Sequence, residues 1–268
     1  MTAILNGSLL AALLAASVGA QANVGHLINA DYFESFDGMG LAGTTAPTGW
    51  SVWNGNSGTS NASWSSLIPA NGSNSVASMV RSSAALAASS APTATRNGGY
   101  NAAFSSSLLT DRLLASSPTN VSGMAFQLEL HNDGNSTVDQ LLISYDTRRF
   151  TKTSSSNELP GYWLFVSLDG SNWRNVSALN PTASQLPNTV GVSSISDYRL
   201  ALDGRWAPSQ SLFLRWVDDN AVQTSPDQIL GLNNVHVQAI TAVPEPASQA
   251  LLLVGLGLFG AVAQRRRR

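Results

Sequence analysis

Between residues 120 and 242, apolar side chains recur at every second position. Met124, Phe126, Leu128 and Leu130 alternate with Ala125, Gln127 and Glu129, and the turn residues Asn132, Asp133, Gly134 and Asn135 close the run. A period of two is the spacing of a strand whose faces meet different environments, and a helix cannot accommodate it. The pattern repeats. Residues 138–145 form the next expected strand, with Leu141, Ile143 and Tyr145 opposite Leu142, Ser144 and Asp146. Residues 162–168 are almost wholly apolar, and Asp169-Gly170 supplies a tight turn toward a partner at 173–178. Residues 198–202 and 211–217 read as strands joined across Asp203, Gly204 and Pro208, and 229–240 as the closing strand.

The first half is richer in Ser, Ala, Asn and Gly. Residues 31–53 read as an opening edge, 82–94 as an exposed loop, and 108–115 as a short helix carrying Asp111 and Arg112 on a solvated turn. No repeat of about 20–50 residues occurs, which argues against a solenoid or propeller. Short strands, frequent turns and no long amphipathic helix predict an all-β fold, an antiparallel β-sandwich.

The two ends have a different character. Residues 1–22 read as a secretory signal peptide: an apolar stretch at 9–16 precedes Ala20-Gln21-Ala22, a small-x-small cleavage site. Residues 247–263 carry no charge and are followed by Arg265, Arg266, Arg267 and Arg268. As a helix that run spans roughly 25 Å, just enough to cross a bilayer with Gln249 and Gln264 at the interfaces. Pro244 and Pro246 place the helix start after them, and the arginines place the preceding chain on the outer side. Between the ends, residues 23–242 form one expected β domain.

This order of Pro244-Glu245-Pro246, apolar helix and arginine cluster, over 243–268, resembles the PEP-CTERM sorting signal of Gram-negative bacteria that make extracellular polysaccharide. The resemblance implies recognition by a membrane-embedded exosortase and cleavage near Pro244-Glu245-Pro246. The helix is then a transient anchor, signal peptidase acts at the other end, and the product reaches the cell envelope, surface or extracellular space.

Composition agrees. The chain has no cysteine, as suits a domain that needs no disulfides in an oxidising compartment. Setting aside the four arginines, the formal charge of −2 becomes about −6, which argues against nucleic acid. Charged residues make up only 11%, so solubility falls to Ser, Thr, Asn and Gly.

Ser167, Asp169, Gly170 and Trp173 resemble the S-x-D-G-x-x-W hairpin of many carbohydrate-binding and discoidin-like modules, and residues 214–220 with 230–235 resemble their closing strands. This resemblance implies a jelly-roll body. It also implies a structural calcium between Asp31, Glu34 and Asp37 near the start and Asn233-Asn234 at the end. Asparagines stand where that pattern has acids, and fewer carboxylates weaken calcium binding, so the residue types favour a hydrogen-bonded polar edge. Asp218, Asp219 and Asn220 read as a polar turn, with an ion site as the alternative.

For ligands, Trp50, Trp53 and Trp64 lie in an Asn/Gly/Ser-rich stretch with Asn54, Asn56 and Asn61. Indoles stack on sugar faces, but anchoring of long loops in the core is the favoured reading. Histidines 26, 131 and 236 share no metal-ligand spacing, and His236 alternates with Val235 and Val237 as a solvent-facing residue. No nucleophile or phosphate-loop motif is present. Carboxylates such as Glu129 and Glu158 leave a glycosidase open, although Glu129 reads as a solvated strand residue. Arg148-Arg149 reads as an exposed basic turn, with anionic sugar as the alternative partner. The expected function is therefore a non-enzymatic structural or adhesive protein of the surface or extracellular matrix. The alternatives are a polysaccharide-binding module and a hydrolase of extracellular polymers.

Overall fold

The computed structural model describes residues 24–55, 76–81, 86–92, 98–119, 121, 123–151, 161–181, 189–219 and 228–240. The expected signal peptide, the sorting tail, Trp64, Glu158 and Asn220 lie outside them. Among the described residues no helix is long and apolar enough to cross a membrane.

The elements in chain order are β1 (Gly25–Leu27), β2 (Asp31–Glu34), a 3-10 turn at Asp37–Met39, β3 (Trp50–Asn54), β4 (Val80–Arg81), β5 (Ala87–Ser89), β6 (Gly98–Ser105), β7 (Leu108–Ser117), β8 (Gly123–Asn132), β9 (Val138–Thr151), β10 (Trp163–Ser167), β11 (Arg174–Asn175), a second 3-10 turn at Ser177–Leu179, β12 (Gly191–Trp206), β13 (Ser211–Asp219) and β14 (Ile229–Ile240). They form two seven-stranded sheets. The first runs β11-β10-β13-β8-β3-β4 with β1 also on β8; the second runs β12-β9-β14-β7-β6-β5 with β2 on β14. The chain is all-β. Most pairs are antiparallel, but β1 runs parallel to β8 and β5 parallel to β6, so both sheets are mixed.

The predicted alternation puts one apolar cluster between the sheets. Phe126, Leu128, Leu130, Leu214 and Trp216 of the first sheet meet Leu141, Ile143, Tyr145, Leu230, Leu232 and Val237 of the second. Tyr145 stands edge-on to Trp216 across this layer, with ring centres 5.7 Å apart. A second apolar group covers the outer face of each sheet: Trp163, Phe165 and Val217 on the first, and Tyr100, Leu113 and Ile229 on the second.

Those outer clusters explain where the local reading went astray. Residues 108–115 are not a helix but most of strand β7. Leu114 faces the central core while Leu113 and Ala115 face the outer cluster, so both faces are apolar and the period of two disappears. Residues 82–94 are not simply a loop, since they contain β5. Residues 198–202 extend into β12, which passes through Asp203-Gly204 with a register shift instead of turning there. β12 and β13 then lie in different sheets and form no hairpin. Arg148-Arg149 is no turn either, because both residues lie within β9.

One glycine sets how closely the chain segments approach. Gly49 has φ +85°, and its carbonyl accepts the Glu129 amide at 2.9 Å. A Cβ there would lie 2.4 Å from the Gly25 nitrogen and 2.8 Å from its Cα. Backbone cannot yield as a flexible side chain can. Replacing Gly49 with Ala is expected to cost about 2 kcal/mol or more, from left-handed strain and displacement of β1, read as a lower urea midpoint.

Burial also holds the Tyr145 and Tyr162 hydroxyls well above the ordinary phenol range. A raised native pKa means the unfolded chain releases its phenol proton first. The associated stability is complete below pH about 10 and is lost as pH climbs above it. On alkaline titration, phenolate absorbance from these two residues should appear together with loss of β-sheet circular dichroism. Phenolate appearing fully while the sheets persist would refute this.

Candidate functional site

The hairpin predicted at 167–173 forms and borders a cavity of about 280 Å³ beside β12. Its wall includes Ser167, Asp169, Asn172, Trp173, Arg174 and Asp203. Local chemistry builds the turn. Asp169 Oδ1 accepts the backbone amides of Ser171 and Asn172 at 2.8 and 2.7 Å, and Oδ2 accepts the Asn172 side-chain amide at 2.7 Å. Ser167 Oγ accepts the Gly170 amide at 2.9 Å, and Gly170 has φ +70° as the Asp-Gly pair predicts. These bonds, the Asn172 amide first, hold the Asp169 carboxyl far below the usual carboxylate range. At the cavity's other side Arg174 Nε lies 2.6 Å from Asp203 Oδ2, and Asp203 is largely exposed.

Trp173 does not offer an open face to this cavity. It is 5% exposed, and the Arg215 guanidinium sits 4.2 Å from its ring centre. Trp53 flanks the same guanidinium at 4.0 Å. Arg215 also donates from Nε to Gln127 Oε1 at 2.6 Å and from Nη1 to the Val76 carbonyl. None of these partners is a carboxylate, and desolvation pushes the Arg215 pKa down to about 9. Trp50 belongs to the central core: its Nε1 donates to Tyr32 Oη at 2.7 Å, and its ring packs on Phe36 and Trp216.

The segments considered for calcium lie near one another, joined through β14 and β7. β2 pairs with β14, with Glu34 opposite Val235 and Asp31 opposite Gln238. Asp31 Oδ1 meets His236 Nε2 at 2.6 Å, so His236 is an edge partner and not simply solvent-facing. Glu34 Oε1 accepts the Phe36 amide at 2.6 Å, and Asp37 Oδ1 accepts the Arg112 amide at 2.7 Å. Asn233 and Asn234 donate to Asp111 and Asp146 at 3.1 and 2.8 Å. A register shift follows Asn233, and Asn234 takes φ +49° in it.

Several exposed-turn expectations are corrected. Asp218 and Asp219 end β13 and are buried; Asp218 accepts from Ser116 Oγ. Arg112 is 2% exposed and donates to the Asn101 side chain at 2.7 Å. Arg149 is buried, and the Arg148 guanidinium lies 4.7 Å and 5.0 Å from the Phe104 and Phe150 ring centres. Asp218, Arg112 and Arg149 share the strand faces of the core residues Trp216, Leu114 and Tyr145, and polar residues in short mixed runs give no sequence sign of that burial. Glu129 is half-buried and accepts from Ser211 Oγ at 2.9 Å.

Sequence spacing also missed a pairing of histidines. His26 of β1 lies opposite His131 of β8, and both reach Asp133. The two are 105 positions apart, and the only clue along the chain was the His131-x-Asp133 pair. Those bonds lower the Asp133 carboxyl, with His131 the main cause.

The PEP-CTERM protein-sorting motif matches residues 242–268. No curated protein matches the chain. Among solved structures, the GH26-CBM35 β-(1,4)-mannanase of Podospora anserina is similar at 9% identity and TM-score 0.27, over 50% of this chain and 23% of that one. The N-terminal CBM22-1-CBM22-2 tandem domain from Paenibacillus barcinonensis is similar at 13% identity and TM-score 0.24, over 51% of this chain and 36% of that one. These TM-scores are low, and the architecture described above rests on strand pairing alone.

Arg215→Lys retains the charge but loses the planar fork and the stacking on two indoles. It is expected to destabilise the fold by about 2–4 kcal/mol in urea, with a shift in tryptophan emission. Unchanged stability would show that the stack has no energetic role.

Proposed function

We propose that this chain is a non-enzymatic β-sandwich with jelly-roll character, exported by a signal peptide at 1–22 and displayed at the cell surface or in the extracellular matrix. The observation that carries this reading is the sorting motif at 242–268, which marks the chain as exported and exosortase-processed. In the proposal, residues 247–263 hold the chain in the membrane until cleavage near Pro244-Glu245-Pro246, with Arg265–Arg268 retained on the inner side. The role of the body is structural or adhesive.

Two features support a body without hydrolase chemistry at its cavity. Glycoside hydrolysis needs one carboxyl that is still protonated near neutrality. Asp169 is held ionised by its turn, and Asp203 is paired with Arg174. Asp169 is therefore not arranged to donate a proton.

Polysaccharide contact is the second reading, and one observation favours it: Asn172, Arg174 and Asp203 bring amide, guanidinium and carboxylate groups to one small cavity. Such groups match sugar hydroxyls.

The sorting proposal is tested in the producing cell. Wild-type surface material should lack the segment after Pro244-Glu245-Pro246 by mass spectrometry. Replacing Pro244, Glu245 and Pro246 with alanine should leave a full-length, membrane-bound form. Full-length wild-type chain in the cytosol with both ends intact would overturn the proposal. For the second reading, Asp203→Ala should weaken binding on a polysaccharide panel about tenfold or more, as expected when a charged hydrogen bond is lost. Absence of binding by the wild type would end that reading alone.

A further inference from the structure

We propose that His26, His131 and Asp133 form a binding site for a divalent transition metal of the zinc class. The site is distinct from the 167–203 cavity and does not depend on the function proposed above.

The geometry is built into the backbone. β1 and β8 run parallel with His26 directly opposite His131, so both imidazoles project from the same face of the sheet. Their ring centres are 6.0 Å apart at 63°. Asp133 follows β8 immediately, and one carboxylate oxygen serves each ring: His26 Nδ1 lies 2.8 Å from Oδ2 and His131 Nδ1 2.7 Å from Oδ1. One donor atom from each of the three residues lies within 4.8 Å of the others. A bound zinc would draw these atoms to about 2.0–2.2 Å from the ion, which rotation of three partly exposed side chains can supply.

The supporting residues are firmer than the ligands. Asn132, between His131 and Asp133, is 2% exposed. Its side-chain amide donates to the Ser136 and Trp206 carbonyls at 3.1 Å each, and its Oδ1 accepts the Gly134 amide at 3.0 Å. This fixes the backbone on both sides of Asp133. On the opposite strand, the contact between Gly49 and Gly25 sets β1 against β8 one residue before His26. The neighbouring Leu27 is buried in the core.

The donor set selects the class of ion. Two imidazole nitrogens and one carboxylate suit zinc, copper or nickel, whereas calcium and magnesium require mostly oxygen donors. A carboxylate only accepts, so each Nδ1 is the hydrogen-bond donor in the arrangement seen. Coordination through Nδ1 moves that hydrogen to Nε2 on the same ring, and no net proton need leave a neutral imidazole. Three protein ligands leave further positions for water.

Such an ion would tie a three-residue strand to the centre of the first sheet. That strand begins three residues after Ala22, and its parallel pairing covers only Gly25, His26 and Leu27.

The test uses the full chain without a histidine tag, stripped with chelator and titrated with zinc chloride by calorimetry. One ion per chain should bind in the micromolar range, with a rise in melting temperature. His26→Gln and His131→Gln should each weaken binding at least tenfold, while His236→Gln, at the β2–β14 edge, should leave it unchanged. Long-range nitrogen–proton correlation spectra of the unmutated chain give a second readout independent of folding of the variants: zinc should move the Nδ1 resonances of His26 and His131. No binding up to millimolar zinc, binding by the His26 and His131 variants as tight as that of the wild type, or shifts confined to His236 would overturn the proposal.

Discussion

Strand β8 is the constraint on which the first sheet depends. It hydrogen-bonds to β13 along nine residue pairs, to β3 over its first half and to β1 at its end. One face sends Met124, Phe126, Leu128 and Leu130 into the core. The other carries Ala125, Gln127, Glu129 and His131, and each contacts a different outer feature. Ala125 joins the outer apolar cluster, Gln127 holds Arg215, Glu129 holds Ser211, and His131 meets Asp133. A slip of one residue would exchange the two faces and lose all of these at once. The register of a single strand therefore sets both the packing of the core and the chemistry of the outer surface.

The scarcity of charge takes on physical meaning against that frame. Arg215, Arg112 and Arg149 are nearly inaccessible, and Arg148 lies between aromatic rings. Arg215 is held by indole faces, an amide and a backbone carbonyl. A guanidinium tolerates this better than an ammonium, because it is planar and weakly hydrated. Its pKa, pushed down to about 9, still leaves it charged at neutral pH. Arg215 and Arg148 thus act in the outer layers, while Arg112 and Arg149 lie on the same strand faces as the core residues Leu114 and Tyr145. Serine, threonine and asparagine are left to meet the solvent.

What was legible in the sequence followed from chemistry local to a few residues. The alternation of 124–130 and of 141–146, and the Asp169-Gly170 turn, depend on near neighbours and were readable. β7 was not, because Leu113 and Leu114 face different apolar layers and a doubly covered strand has no alternation to detect. The burial of Asp218 was hidden for a similar reason: its partner Ser116 is 102 positions away. His26 and His131 meet only because β1 adds parallel to β8, and a short strand of three residues carries too little pattern to announce such a pairing. The sorting tail was read correctly because its order of proline, apolar run and arginine lies within one short segment.

The tryptophans bear most directly on how a body of this kind meets a polymer. Stacking on a sugar ring requires an indole with one face open to solvent. Trp50 spends its ring on Phe36 and Trp216, and Trp53 and Trp173 each give a face to Arg215. Trp163, Trp206 and Trp216 are fully buried. Among the described residues, five indoles are buried and serve packing first, while Trp53 is half-buried. Recognition of polysaccharide by these parts of the body would draw on hydrogen bonds of the kind that Asn172, Arg174 and Asp203 can make, beside the half-buried Trp53. Hydrogen bonds to hydroxyls compete directly with water and contribute only about 1 kcal/mol each. A single body would then hold a polymer weakly, and firm attachment would require many copies displayed together. The surface display proposed above would supply that arrangement, since linked weak contacts gain strength from effective concentration.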